Sequence, residues 1–203
     1  IWGTRGSGKS GMAKLLWRMF GYTASDLPSA SQTRFALLRL FTSTNSYPIC
    51  LDEYKPYDMK AGSPEAVRHF MRLSYDGMMD FRGRPDQSVV SFRVVAPVCL
   101  IGESPIDESA LMERIIPATP STIAIDKEQS EGNIRRELFY KLSETNWEGF
   151  LVRYLRHVMN VDFKKAHDNA RGNVLYYLHT ERNGKYPADS ILDNLVCCQL
   201  GME

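Results

Sequence analysis

Apolar residues at Met12, Leu15, Leu16, Met19 and Phe20 recur at helical spacing. They predict a helix over 10–20, which Gly21 can end. A second helix is expected to carry Phe35, Leu37, Leu38, Leu40 and Phe41, capped by Ser31 or Thr33. Between the two, 22–30 reads as a polar connector containing proline. Pro48-Ile49-Cys50-Leu51 is a short apolar run, consistent with a buried parallel strand. Ser63-Pro64 makes a good N-cap and first-turn pair for a third helix reaching about residue 75. Residues 77–95 read as hairpin-like, and their second half alternates, with Val90, Phe92 and Val94 on one side. Pro97 separates this from Val98-Cys99-Leu100-Ile101, a second strand of the buried type. After Pro120 the pattern turns helical, over 134–142, 147–159, 163–178 and 188–200. The expected organisation is an α/β core over 1–121 followed by a helical segment over 122–203.

A chain of 203 residues can bury a substantial core without disulfides. Its 43% hydrophobic and 24% charged residues exclude a disordered chain, a collagen-like repeat and a coiled-coil rod. Twenty-five basic residues against 24 acidic ones leave a charge of +1. Any contact with nucleic acid must therefore come from a local patch. No apolar run has the length of a membrane span, and the first residues do not resemble a signal peptide. The expectation is a cytoplasmic protein with no membrane partner. Cys50 and Cys99 read as buried strand residues, and Cys197 and Cys198 as helix packing. No cysteine or histidine spacing suits zinc, and a reducing compartment is expected. The absent initiator Met and the abrupt end at Glu203 suggest a piece of a larger protein whose first strand is truncated.

Candidate chemistry begins at the N-terminus. Gly3-Thr4-Arg5-Gly6-Ser7-Gly8-Lys9-Ser10 fits G-x-x-x-x-G-K-[ST], the Walker A pattern. Glycines let successive backbone N–H groups curl around phosphate oxygens. Lys9 can reach the β- and γ-phosphates, and the Ser10 hydroxyl can ligate Mg²⁺. The helix that follows points its positive end at the anion. Downstream, Ile49-Cys50-Leu51-Asp52-Glu53 is an apolar run ending in two carboxylates, the Walker B pattern. A parallel sheet binds ligands at the carboxyl ends of its strands, so both carboxylates are expected beside the loop. Asp52 is then assigned to the Mg²⁺ shell and Glu53 to the general base that polarises the attacking water.

The strand over 98–101 runs into Gly102-Glu103-Ser104-Pro105, where Glu103 or Ser104 is the candidate for a polar residue near the γ-phosphate. Arg114 follows a short helical stretch and can reach the γ-phosphate of a neighbouring subunit. The Phe81-Arg82-Gly83-Arg84-Pro85-Asp86-Gln87 turn offers Arg82 and Arg84, with Arg93 nearby, as contacts to nucleic-acid phosphates.

Taken together, these segments resemble the AAA+ P-loop ATPases, and within them the superfamily 3-type helicases of viruses, phages and plasmids. The likeness covers roughly residues 1–120. It implies a P-loop NTPase fold of the ASCE/AAA+ kind, a three-layer core with a parallel sheet, followed here by a helical segment. It also implies ATP and Mg²⁺ as cofactors and a homo-oligomeric ring, with a hexamer as one candidate size. Single- or double-stranded DNA is the implied partner. Two positions depart from the pattern. The strand-end Asn typical of those helicases is Gly102 or Glu103 here, and the hairpin has two arginines in place of the usual basic tip. The leading functional expectation is Mg²⁺-dependent ATP hydrolysis driving a ring-forming motor on DNA. The alternative is an AAA+- or STAND-like nucleotide switch in a regulatory or antiviral defence assembly. A small-molecule kinase is disfavoured, because 105–117 holds one arginine where such enzymes carry an arginine-rich lid.

Overall fold

Helix α1 (Lys9–Met19) follows directly from the glycine-rich loop, with Gly8 as its N-cap. Ala13 and Trp17, four residues apart and so on one face, are buried, and the helix packs against the strand Ile49–Tyr54. Helix α2 (Arg34–Phe41) is capped by Thr33, whose hydroxyl accepts the Ala36 N–H at 3.2 Å. Leu37, Leu38 and Phe41 on its inner face are fully buried. Strand β1 (Ile49–Tyr54) carries the apolar run and the two carboxylates together. Helix α3 (Ser63–Asp76) starts with Ser63 already helical, because the left-handed Gly62 takes the cap position expected for Ser63. Val67, Phe70 and Met71 form its buried stripe, and the Phe70 ring lies 5.4 Å from that of Phe41 on α2.

Strands β2 (Met79–Gly83) and β3 (Val89–Arg93) pair antiparallel as the expected hairpin, with Asp80 opposite Phe92 and Arg82 opposite Val90. Strand β4 (Val98–Gly102) pairs in parallel with β1, placing Ile49, Cys50 and Leu51 beside Val98, Cys99 and Leu100. The remaining edges of this sheet come from short segments. Residues 1–3 run parallel to β4, with the Gly102 N–H donating to the Ile1 carbonyl at 3.0 Å and the Gly3 N–H to Gly102 at 3.3 Å. On their far side the Trp2 N–H donates to the Ala118 carbonyl at 3.1 Å. At the opposite edge Ser29 bridges Asp52 in parallel, with the Ala30 N–H donating to the Asp52 carbonyl at 2.7 Å. The lateral order is therefore 118, then 1–3, β4, β1 and 28–30. The segment 28–30, expected to be plain connector, is an edge of the sheet. Only three residues pair there, too few for a periodic signal in the sequence.

Further along are helices α4 (Ser109–Met112), α5 (Ser130–Glu144), α6 (Phe150–Met159), α7 (Phe163–Glu181) and α8 (Asp189–Leu200). The structure, a computed structural model, describes residues 1–22, 27–120, 130–182 and 186–201. The boundary expected near residue 121 lies outside them. The chain forms two units, Ile1–Pro105 with Pro117–Leu151, and Ile106–Ile116 with Val152–Glu203. The first is a mixed α/β unit holding the small parallel sheet. The second is built on α7 and α8, whose Ala170, Val174, Leu178, Leu192 and Val196 make its core. That stripe, recurring every four residues on α7, leaves Tyr176 and Tyr177 exposed. Cys197, beside the buried Val196, is likewise exposed and does not pack. Among the described residues, no helix is long and apolar enough to cross a membrane.

Candidate functional site

Between the end of residues 1–3 and the start of α1 the chain turns through two left-handed glycines, Gly6 at φ 81° and Gly8 at φ 80°. Other residues adopt that backbone only at a cost, which is the physical reason for glycine at these two positions. Ser7 is buried while Thr4, Arg5, Gly6 and Gly8 are exposed. Lys9 is 8% exposed although charged. Its Nζ donates to the carbonyls of Gly3 and Thr4 at 2.7 Å each and to the Ser7 hydroxyl at 3.3 Å. The loop thus curls around its own lysine, whose ammonium group finds the partners a buried charge requires. Gly8 supplies no side-chain cap to the helix end that follows. Gly8 and Ser10 sit where the helix begins, and its N–H groups and dipole favour an anion there.

The acidic pair stands on a distorted strand. Pairing of β1 with β4 steps from Leu51 opposite Leu100 to Tyr54 opposite Gly102, so β1 holds one residue more than its partner across Asp52 and Glu53. Glu53 takes up this bulge with φ 61°, in the left-handed region. A glutamate there costs on the order of 1–2 kcal/mol. The Asp52 carboxylate accepts the Glu53 N–H at 2.7 Å and so ties the two residues together. Gly102 opposite lies so near the Tyr54 carbonyl that any Cβ would collide with it. Glycine at 102, which at first looks like a departure from a polar strand end, is required by this close approach.

Residues 1–3 and β1 are both neighbours of β4. The loop and the acidic pair therefore leave the sheet two strand spacings apart, about 10 Å, and at the same end, because the strands are parallel. Between them, at the end of β4, Glu103 pairs with Lys55 at 3.1 Å, each side chain about 40% exposed. Ser104 follows, half-buried. Lys55 was not among the candidates read from sequence. Its signal, a cation two residues beyond the acidic pair, carries no meaning until the register of β1 and β4 is known.

Behind the acidic pair, Cys50 and Cys99 face each other across the sheet. A hydrogen bond between the thiols holds Cys50 well above the ordinary thiol range and brings Cys99 down to about 7.

The remaining candidates lie elsewhere. Arg114 belongs to the second unit, where its Nη1 donates to the Ala110 carbonyl at 2.6 Å. In that unit the Asn194 amide on α8 donates to the Glu113 carbonyl at 3.0 Å, fixing the neighbouring backbone. The hairpin divides its arginines. Arg84 is exposed in the turn, where its N–H donates to Ser88 at 2.8 Å. Asp86 accepts the Ser88 hydroxyl and N–H in the same turn, which lowers its carboxyl pKa. Arg82 instead folds back, its guanidinium 5.4 Å from the centre of the Phe35 ring on α2. On the same inner face the largely buried Asp80 lies 3.5 Å from Arg34 and 3.6 Å from His69. This group anchors the hairpin to α2 and α3. Among the described residues, no cluster of three or more His, Cys, Asp or Glu side chains could hold a metal ion.

No protein-family model matches the chain, and neither a curated protein nor a solved structure matches it.

Proposed function

We propose that the first unit is a P-loop nucleoside triphosphatase core and that the chain hydrolyses ATP with Mg²⁺. The observation that carries this reading is the lateral order of the sheet. It brings a glycine-rich, lysine-bearing loop and a strained acidic pair to one end of the parallel strands, about two strand spacings apart.

Each residue has a role that its surroundings suit. Lys9 already bonds to three loop oxygens, and a triphosphate entering the loop replaces them with phosphate oxygens. The Ser10 hydroxyl and the Asp52 carboxylate are hard oxygen donors of the type Mg²⁺ selects, and they would hold it. The ion would supply charge neutralisation at the β- and γ-phosphates. Glu53, on the bulge, takes the proton of the attacking water as the bond to the γ-phosphorus forms and the β–γ bridge bond breaks. Lys55 balances Glu103, which keeps a third carboxylate at the strand ends from repelling the triphosphate.

We place this activity in a ring-forming motor on DNA, with Arg114 acting on a neighbouring subunit's nucleotide and the hairpin tip touching the phosphate backbone. The resemblance to superfamily 3-type helicases supports that assignment, as does the exposed Arg84 turn.

The test is phosphate release and ATP affinity in Glu53→Gln. Retained ATP binding with hydrolysis reduced at least a hundredfold is expected. Hydrolysis at the wild-type rate contradicts the assignment of the base.

A further inference from the structure

Helix α5 touches α1 at two points. A Cβ placed on Gly11 would stand 3.3 Å from the Phe139 ring, so the ring rests directly on this glycine. Seven residues further along α1, Arg18 donates to the Ser143 carbonyl at 2.5 Å. Positions 11 and 18 share a face, so two separate contacts seat α5 along it. Gly11 is the third residue of α1 and directly follows Ser10. The ring therefore stands at the end of the helix that carries the phosphate loop.

Phe139 is not enclosed there. It is 36% exposed, and the 51% exposed Tyr140 meets it edge-on with centroids 6.2 Å apart. A phosphate needs no aromatic surface, whereas a nucleotide does. With its phosphates on the loop, a nucleoside triphosphate extends its sugar and base past the first turn of α1. A partly exposed ring whose edge touches the glycine after Ser10 offers that base a stacking surface. Gly11 fits the same arrangement, because a Cβ there would press on the ring and shift it by a few tenths of an ångström.

We propose that Phe139 stacks on the base of a nucleotide bound at the loop of Gly3 to Ser10. The proposal rests on the P-loop reading above and adds the residue that holds the nucleoside. Every base has a π-face, so this contact favours purines by area and distinguishes adenine from guanine weakly.

The experiment compares Mg·ATP with Mg·tripolyphosphate, which has the phosphates without the nucleoside, by titration calorimetry on the full chain. Phe139→Leu keeps an apolar side chain on Gly11 and removes the π-face, and Phe139→Trp keeps a π-face. Phe139→Leu is expected to weaken ATP about 5- to 100-fold and to leave tripolyphosphate unchanged, while Phe139→Trp retains ATP affinity. Equal weakening of both ligands, or unchanged ATP affinity in Phe139→Leu, overturns the proposal while leaving the loop assignment standing. A wild type that binds neither ligand overturns the loop assignment and the proposal with it.

Discussion

Gly102 meets the carbonyl of Tyr54 without space for a single carbon between them. The contact joins the ends of β1 and β4 just beyond the bulge that holds Glu53. A methyl group at 102 must push the strands apart, and the obstacle is backbone, which cannot rotate away. Gly102→Ala is therefore expected to cost about 2 kcal/mol or more, lowering Tm by roughly 4–8 °C. Thermal unfolding of the two proteins measures this, and an unchanged Tm would show that the strand ends are looser than described.

Glu53 is strained, and its strain and its chemistry separate by mutation. Glycine relieves a left-handed penalty of about 1–2 kcal/mol but adds about 0.5–1 kcal/mol of chain entropy to the unfolded state. Glu53→Gly should thus gain up to about 1.5 kcal/mol of stability while abolishing phosphate release. Glu53→Gln, which keeps the strain, should leave stability unchanged. Urea unfolding of the three proteins checks the order. Equal destabilisation by Gly and Gln would mean that Glu53 contributes more in packing than it loses in backbone conformation.

Asp80 tests how the hairpin is held. Removing its carboxylate leaves Arg34 and His69 without the group they flank and breaks the polar link from β2 to α2 and α3. In Asp80→Ala the amides of β2 and β3 should exchange about tenfold faster, and those of β1 at the wild-type rate. Uniformly faster exchange would instead mark Asp80 as part of the global core.

Much of this was legible from the chain. The loop, the acidic pair and helices α1 to α3 follow from glycine spacing and apolar periodicity, both local signals. The bulge at Glu53 was not legible, because it is a mismatch between two strands distant in sequence. Nor was the edge at 28–30, whose pairing spans three residues. Gly102 looked like a missing polar residue until the Tyr54 carbonyl explained it. Arg82 and Arg84 looked equivalent in the turn, and only the Phe35 ring on another helix separates them.

That separation sharpens the nucleic-acid expectation. Arg84 is exposed, whereas Arg82 is committed to Phe35. Arg84→Ala should reduce the slope of log affinity against log salt by about one unit, equally for all DNA sequences. Arg82→Ala should leave the slope unchanged and loosen the hairpin against α2. Filter binding over a salt series, with a non-hydrolysable ATP analogue present, gives both slopes. Equal slopes for wild type and Arg84→Ala would remove the hairpin tip from the DNA interface.

The central claim is that the loop around Lys9 binds the phosphates of a nucleotide. Its most direct measurement is a calorimetric titration of Mg·ATP into the wild type and into Lys9→Ala, with circular dichroism confirming that both are folded. The account predicts saturable binding at one site per chain in the wild type, weakened a hundredfold or more when the ammonium group is lost. Undetectable binding by the folded wild type, or equal affinity in the two proteins, would contradict it.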